Sequence, residues 1–363
     1  MQQEARTHQQ YAQILQALLG IVVKEQASDL HLSASRYPTL RIAGALTPLT
    51  QQPMLTPDIT EGLARSLLTE KQWERFSVER ELDLSYTFGE QGRFRVNIFY
   101  QRNFVGAALR MIPAKIRTLQ ELQLPETLAD FARREQGFFL VVGPTGHGKS
   151  TTLAALVDIV NHERAEHIIT VEDPIEYFFT QDKSIIDQRA VGQDTHSFAS
   201  ALRAMFREDV NIAMIGEMRD QETMAAAVTA AETGHLIFSS LHTNSASQTI
   251  DRIIDSFAAE QQNQIRMQLS STLLGIFSQR LVPRVSGGLI PAYELLIANT
   301  AVRNLIRENK TYEIDLVVET SSEDGMVSLN QSLADLVRQG EIAMEAAIAH
   351  SYHPHELQTL LRG

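Results

Sequence analysis

Apolar positions in the first third of the chain follow a helical pattern and then an alternating one. Between residues 9 and 24 they recur every three or four positions, which predicts an amphipathic helix; the positions are Tyr11, Ile14, Leu15, Leu18, Leu19 and Val22. Short alternating runs follow, interrupted by one polar helical stretch, at 30–32, 39–42, 82–86, 94–99 and 108–111. Because alternation is typical of strands with one exposed face, residues 1–112 are predicted to form a small α+β domain with an antiparallel sheet.

A different pattern begins at residue 138. Apolar runs alternate with helical patterns, as in a parallel sheet with crossover helices; the runs are 138–142, 168–171, 212–215 and 236–240. From about residue 265 the chain is predicted to be mostly helical. We therefore expect an α/β protein with an N-terminal domain over 1–112, a linker over 113–120 and a second domain over 121–363.

Composition narrows the class of protein. The chain has 363 residues, of which 44% are hydrophobic and 21% charged, so it is long enough for two globular domains. It has no cysteine, which excludes disulfides and cysteine-ligated zinc. A formal net charge of −12 weighs against a nucleic-acid partner. No signal-peptide profile and no apolar run long enough to span a bilayer are found, so we expect a cytoplasmic location without an integral membrane segment.

One segment carries the strongest chemical signal. It reads Gly143-Pro144-Thr145-Gly146-His147-Gly148-Lys149-Ser150 and has the Gly-x4-Gly-Lys-Ser spacing of a phosphate-binding P-loop. It lies between the apolar run 138–142 and a helical pattern, which makes a chance glycine turn a poor alternative. In such loops backbone N–H groups surround the phosphates, the lysine contacts the β and γ phosphates, and the serine ligates Mg²⁺. These eight residues and Thr151 are the predicted binding residues for ATP and Mg²⁺.

Carboxylates follow two of the later apolar runs. Glu172, Asp173 and Glu176 come after the run 168–171, and Glu217 comes after 212–215. The carboxyl ends of parallel strands are where α/β sheets bind ligands. Glu217 has the Walker-B position and is predicted to support Mg²⁺ through water.

The order of these motifs resembles the secretion ATPase superfamily, and most closely the PilT-like family of type IV pilus retraction ATPases. The resemblance extends from about residue 10 to residue 340. It rests on the P-loop and on the segments 27–32, 92–97, 170–176, 216–220, 234–244 and 301–308. It implies a PAS-like N-terminal domain, a RecA-like ATPase domain and a homo-hexameric motor for pilus retraction. The implied partner is an inner-membrane pilus platform protein, with the ring peripheral at that membrane.

The resemblance also assigns roles to residues. A carboxylate of the segment 170–176 would be the base that orients the attacking water, with Glu176 the first choice and Glu172 the alternative. His235 and His242 would sense the γ-phosphate or link subunits.

The positive charge that stabilises the transferring phosphoryl group would come from a neighbouring subunit, at the matching positions Arg95 and Arg110. Taken without the family, both would be ordinary arginines on a solvated strand.

Three further features are specific to this chain. His147 stands where a serine is usual in the P-loop, and its side chain is predicted to point away from the phosphates. The C-terminal histidines, His350, His353 and His355, are expected on the surface. In the segment 301–308, the two arginines Arg303 and Arg307 are predicted to project together from one helix face and to transmit motion to the pilus machinery or between subunits.

Other functions remain open at this level. A ring ATPase of a type IV secretion system has similar motifs and also lacks a zinc module. A RecA-like nucleic-acid motor would be stimulated by DNA or RNA. A ring subunit without activity is disfavoured by the intact Lys149, Glu176 and Glu217.

Overall fold

The computed structural model describes residues 2–42, 44–89, 92–112 and 115–362. Contacts divide the chain into a first unit, Met1–Lys115 with Pro174–Phe178, and a second unit, Ile116–Asp173 with Phe179–Gly363. The predicted domain limits and the linker over 113–120 stay predictions, and residues 113 and 114 lie outside the described ranges.

Helices and an antiparallel sheet make up the first unit. Its elements are α1 (Gln2–Lys24), β1 (Asp29–Leu32), β2 (Thr39–Ile42), β3 (Ala45–Pro48), α2 (Pro57–Arg65), α3 (Glu70–Glu79), β4 (Glu81–Phe88), β5 (Gly92–Gln101) and β6 (Phe104–Ile112). The strands pair in the order β3-β2-β1-β6-β5-β4. The predicted apolar face of α1, except for the exposed Ile14, packs into a core with the inward side chains of the strands. The α+β character and the antiparallel pairing are therefore confirmed.

The prediction of a single polar helix in this unit is wrong, because α2 and α3 are separate helices. The Thr56 side chain accepts a hydrogen bond from the backbone N–H of Ile59 at the start of α2. Thr69 and Gln72 form a capping box that starts α3. Such caps satisfy N–H groups that have no partner inside the helix, so each marks a separate start.

The second unit is an α/β structure. Its elements are α4 (Leu128–Ala132), β7 (Gly137–Val142), α5 (Lys149–Glu163), β8 (His167–Glu172), β9 (Ile185–Ala190), α6 (Phe198–Met205), β10 (Ile212–Ile215), α7 (Gln221–Glu232), β11 (Leu236–Leu241), α8 (Ala246–Asp255), α9 (Ala259–Thr272), β12 (Leu273–Pro283), β13 (Leu289–Ile297), α10 (Thr300–Arg307), α11 (Ile314–Thr320), α12 (Leu329–Arg338), α13 (Met344–His350) and α14 (Pro354–Arg362). Short 3-10 turns lie at Thr311–Glu313 and Ser322–Asp324.

A largely parallel sheet positions the predicted site in this unit. The strand order is β13-β12-β7-β11-β10-β8-β9, and the pairing is parallel from β12 to β9. Every residue of β7, β10 and β11 is buried, as expected of strands covered on both faces. One apolar cluster holds alternate strand residues with α7, α8 and α9, and a second holds the others with α4 and α5. The four predicted parallel strands are confirmed.

The expectation of a mostly helical chain beyond residue 265 is wrong in part. β12 and β13 form a long antiparallel hairpin, and β12 adds in parallel to β7. The turn between them contains Gly287 and Gly288, both with left-handed backbone angles. Two adjacent glycines between apolar runs are a hairpin signal, and this signal was outweighed by the helical patterns around it.

The predicted projection of Arg303 from α10 is also wrong. Its guanidinium donates hydrogen bonds to the carbonyl oxygens of Ser270, Ser271 and Leu273 at 2.8, 2.6 and 2.8 Å, and to that of Ala298 at 2.9 Å. Arg303 therefore caps the carboxyl end of α9, where carbonyl groups have no partner inside the helix. Arg307 is exposed and donates a hydrogen bond to Asn304 in the preceding turn of the helix.

In the described part of the chain, no helix is both long enough and apolar enough to cross a membrane.

Candidate nucleotide-binding site

The P-loop joins the end of β7 to the start of α5. Gly143, Gly146 and Gly148 have φ angles of 138°, 81° and 84°, in the region that favours glycine. A β-carbon on Gly143 would lie well under 3.0 Å from the backbone oxygen of Gln279. The loop therefore needs glycine for its backbone angles at three positions and for close approach to β12 at the first.

Lys149 is buried at the start of α5. Its Nζ donates to the carbonyl oxygens of Gly143 and Pro144, both at 2.9 Å. The ammonium group thus lies within the curve of the loop. Ser150 and Thr151 follow in the first turn of α5, and both are partly exposed.

Gln279 on β12 supports the loop and was not predicted from the sequence. Its Oε1 accepts a 2.6 Å hydrogen bond from the Thr152 hydroxyl on α5. A β-carbon on Gly148 would lie 2.8 Å from its Nε2. Gln279 is buried, and its only sequence signal is a polar residue inside the apolar run of β12.

His147, the unusual P-loop residue, faces β12. Its Nδ1 accepts a 2.9 Å hydrogen bond from the backbone N–H of Leu281. Burial, and then the charges of Arg280, His350 and Lys149, lower the pKa of His147 below its ordinary value. A neutral imidazole can accept this bond, so the environment favours the form that ties the loop to β12.

His242 connects the P-loop to the strand-end acid. Its Nδ1 lies 3.4 Å from both Lys149 Nζ and Thr145 Oγ1, and its Nε2 lies 2.9 Å from Glu217 Oε2. Lys149 can only donate and an ionised Glu217 can only accept. The tautomer with the proton on Nε2 satisfies both contacts. Glu217 also forms an ion pair with Arg219.

Glu172 ends β8 beside the strand that leads to Glu217. It is 5% exposed, and its Oε1 accepts a 2.7 Å hydrogen bond from the Thr170 hydroxyl. Its backbone lies so near Gly216 that a β-carbon there would be 3.4 Å from Glu172 Cα. Two of the predicted carboxylates, Glu172 and Glu217, thus belong to adjacent strand ends, because β8 and β10 are paired.

The structure does not bring His235 together with His242. His235 precedes β11, and its Nδ1 lies 3.0 Å from the carbonyl oxygen of Ala230. His242 follows the same six-residue strand, so the backbone positions of the two residues are roughly 20 Å apart at the rise of an extended strand. The predicted roles of His235, in sensing the γ-phosphate or in linking subunits, stay predictions.

Arg95, Arg110 and Glu176 lie in the first unit. Arg95 on β5 and Arg110 on β6 are direct cross-strand partners, and Arg110 is paired in turn with Asp29 on β1. Arg110 Nε donates to Asp29 Oδ1 at 2.9 Å, and Arg95 Nη1 lies 3.6 Å from Glu176 Oε1. The two arginines are thus neighbours on one face of the sheet, each beside a carboxylate.

Strand, glycine loop and helix, with a lysine, a histidine and an acid converging at the carboxyl ends of parallel strands, define a P-loop nucleotide-binding protein. Residues 4–288 match the family described as Type II/IV secretion system protein. The chain belongs to this family.

The chain is similar to named pilus retraction proteins, as the motifs predict. The chain is 42% identical over 330 residues to the type IV pilus retraction ATPase PilT of Pseudomonas aeruginosa, covering 91% of this chain and 96% of that protein. It is 43% identical over 311 residues to a twitching motility protein of Neisseria gonorrhoeae, with 85% and 83% covered. The crystal structure of the pilus retraction motor PilT with bound ADP superposes with a TM-score of 0.89 at 47% identity, covering 95% of this chain and 98% of that one. The predicted resemblance is confirmed.

Proposed function

We propose that this chain is an ATPase that powers type IV pilus retraction. The observation that carries the proposal is the continuous link from Lys149 in the P-loop through His242 to Glu217. A chain that had kept the fold but lost hydrolysis would have no need for this set of ionisable groups. Similarity to retraction ATPases over nearly the whole chain supports pili as the object of the motor.

The phosphates of ATP would be held by the loop amides and Lys149. The backbone N–H groups between Gly143 and Lys149 and the amino end of α5 favour bound anions. The Lys149 ammonium adds a point charge at the β and γ phosphates. Because the loop is tied to β12 through Gln279 and His147, its shape is set before nucleotide binds.

The residues present also suit Mg²⁺, which prefers oxygen ligands and keeps several waters, so one or two protein oxygens suffice. The Ser150 hydroxyl would ligate the ion, and the Glu217 carboxylate would support it through water. When bound, the ion neutralises charge that develops on the phosphate oxygens. His242 orients the Glu217 carboxylate through its Nε2.

Glu176 is the proposed base that orients the attacking water. Its side chain is 42% exposed and faces Arg95, so it is open to water. Glu172 is 5% exposed and already accepts a hydrogen bond from Thr170, which suits a structural acid better than a base. Glu172 remains the alternative.

Arg95 and Arg110 are proposed to act on the nucleotide of a neighbouring subunit. Their position on one face of the sheet supports this role, since two neighbouring guanidinium groups can bind several phosphate oxygens. Asp29 would hold Arg110 in place: burial alone would raise the pKa of Asp29, but hydrogen bonds from Ser28 and Arg110 lower it below its ordinary value. A site completed in this way requires a closed ring, proposed to be a homo-hexamer.

The proposal also includes the domain folds, the cellular location and the partners. The first unit would be a PAS-like domain and the second a RecA-like domain. The ring would work in the cytoplasm, peripheral at the inner membrane, against a pilus platform protein and without nucleic acid.

Two measurements, of ATP hydrolysis by the purified protein and of pili in a deletion strain, test this proposal. Purified protein should hydrolyse ATP in a Mg²⁺-dependent manner, and Lys149→Ala should abolish it. A strain that lacks the chain should carry long pili and fail to twitch, and only the wild-type chain should restore twitching. Hydrolysis without any effect of deletion on pili, together with loss of protein secretion, would assign the chain to a secretion system instead.

A further inference from the structure

The segment 242–245, which joins β11 to α8 and carries His242, is called the His loop below. Side chains from the β12–β13 hairpin hold it. The Ser278 hydroxyl donates to the backbone oxygen of Asn244 at 2.8 Å, and Arg280 Nη2 donates to Asn244 Oδ1 at 3.2 Å. Both donors lie on β12, so the loop next to the nucleotide site is fixed from that strand.

Glu294 holds the far end of the His loop. Its Oε1 accepts a 2.7 Å hydrogen bond from the backbone N–H of Ala246, the first residue of α8. The first N–H groups of a helix have no partner inside it, and a carboxylate there also interacts favourably with the helix dipole. Glu294 is the direct cross-strand partner of Ser278. The part of the loop next to α8 is thus held by one pair of neighbouring residues.

The surroundings of Glu294 are acidic. It lines a cavity of about 230 Å³ together with Asp315, Glu319, Glu356, His353 and Tyr352. The groups that act on its charge are Asp315 and Glu319 on α11 and Arg280 on β12. Burial, reinforced by the two carboxylates, raises the pKa of Glu294 to about 7.

We propose that Glu294 is a positioning residue for ATP hydrolysis. By accepting the hydrogen bond from Ala246 it fixes the start of α8, and this holds the His loop so that His242 meets Lys149 and Glu217. The inference rests on the proposed ATPase function. It adds a residue of β13, outside the predicted nucleotide-binding motifs.

A positioning role and a general structural role predict different kinetics. The P-loop is held through the hydrogen bonds of Gln279 and His147, whereas the hydrogen bond of Glu294 is to Ala246 at the start of α8. Loss of Glu294 should therefore leave ATP binding intact and slow the step that needs His242. A structural defect would weaken binding and turnover together.

The experiment compares full-length wild type with Glu294→Ala and Glu294→Gln. The control is Glu319→Ala, which removes a carboxylate from the same cavity. Measured quantities are kcat and KM for ATP from pH 5.5 to 8.5, and binding of a fluorescent ATP analogue. Glu294→Ala should lower kcat at least tenfold while KM and analogue affinity change less than threefold. Glu319→Ala should stay within twofold of wild type in both constants.

The conservative variant supplies a second readout. An ionised carboxylate accepts a stronger hydrogen bond than a neutral group, so kcat of the wild type should rise with pH through about 7. Glu294→Gln keeps an acceptor without the charge. At pH 6 its kcat should be within about threefold of the wild-type value. Between pH 6 and pH 8 it should lack the increase in kcat that ionisation of Glu294 gives the wild type.

The outcomes separate the two proposals. Wild-type kcat in Glu294→Ala, or a parallel fall in kcat and analogue affinity in a folded Glu294→Ala, overturns the positioning role. If Glu294→Ala does not fold, a pH profile of Glu294→Gln identical to wild type overturns it equally. Absence of ATP hydrolysis by the wild-type protein refutes the ATPase function itself, whatever the variants do.

Discussion

Replacement of Arg303 tests whether this side chain is a structural cap. Its guanidinium donates to four carbonyl oxygens, three of them at the end of α9. Arg303→Ala removes all four bonds and a positive charge at a helix carboxyl end. Arg307→Ala, one turn along the same helix, removes an exposed arginine with one local partner.

The size of the effect follows from those contacts. A hydrogen bond from a charged donor contributes about 1.5 to 3 kcal/mol, but water replaces part of it at a partly exposed site. The interaction with the helix end adds about 0.3 to 1 kcal/mol. Since four bonds share one guanidinium and are not additive, we expect Arg303→Ala to lower the free energy of unfolding by about 2 to 4 kcal/mol. Arg307→Ala should change it by less than about 0.5 kcal/mol.

Denaturant unfolding followed by circular dichroism, at one protein concentration for all variants, measures the difference. Arg303→Lys should recover only part of the loss, because a single ammonium cannot reach the same fork of acceptors. Equal stability of Arg303→Ala and Arg307→Ala would refute the capping role. The segment would then return to the predicted role of an exposed coupling helix.

Three further predictions concern the nucleotide site. Gly143→Ala should abolish ATP binding without unfolding the protein, because its β-carbon would overlap the Gln279 backbone; normal affinity for a fluorescent ATP analogue would contradict the loop geometry. Arg110→Ala should bind ATP and fail to hydrolyse it, and mixing it with Lys149→Ala subunits should restore part of the activity, whereas no recovery in mixed rings would count against a shared site. The folded-state pKa of Glu294, about 7, exceeds the ordinary value of 4.5, so its ionisation lowers wild-type stability as pH rises through this interval. Relative to wild type, Glu294→Gln should therefore gain on the order of 2 to 3 kcal/mol between pH 5 and pH 8 in denaturant unfolding, and a pH-independent difference would contradict the raised pKa.

Much of the second unit could be predicted because local pattern and spacing determine it. The apolar run 138–142 and the P-loop glycines specify strand, loop and helix within a few residues of one another. The contact between His242 and Glu217 could be expected from parallel strands whose carboxyl ends lie side by side. Signals of this kind involve residues that are close in sequence, so they can be recognised before the tertiary fold is known.

The missed residues depend on contacts between distant parts of the chain. Gln279 lies 127 positions from its partner Thr152, and Arg303 lies about 30 positions from the carbonyls it caps. Because these partners are distant in sequence, the prediction for Arg303 rests only on its position in the helical pattern.

Pilus retraction in living cells shows whether ATP hydrolysis by this chain drives the motor. The measurement is the retraction rate of labelled pili in a strain whose only copy of this chain is wild type or Glu176→Gln. Cells with Glu176→Gln should extend pili and not retract them, while the purified variant should still bind ATP. Retraction at the wild-type rate in those cells, although the purified variant does not hydrolyse ATP, would contradict the claim that ATP hydrolysis by this chain drives it.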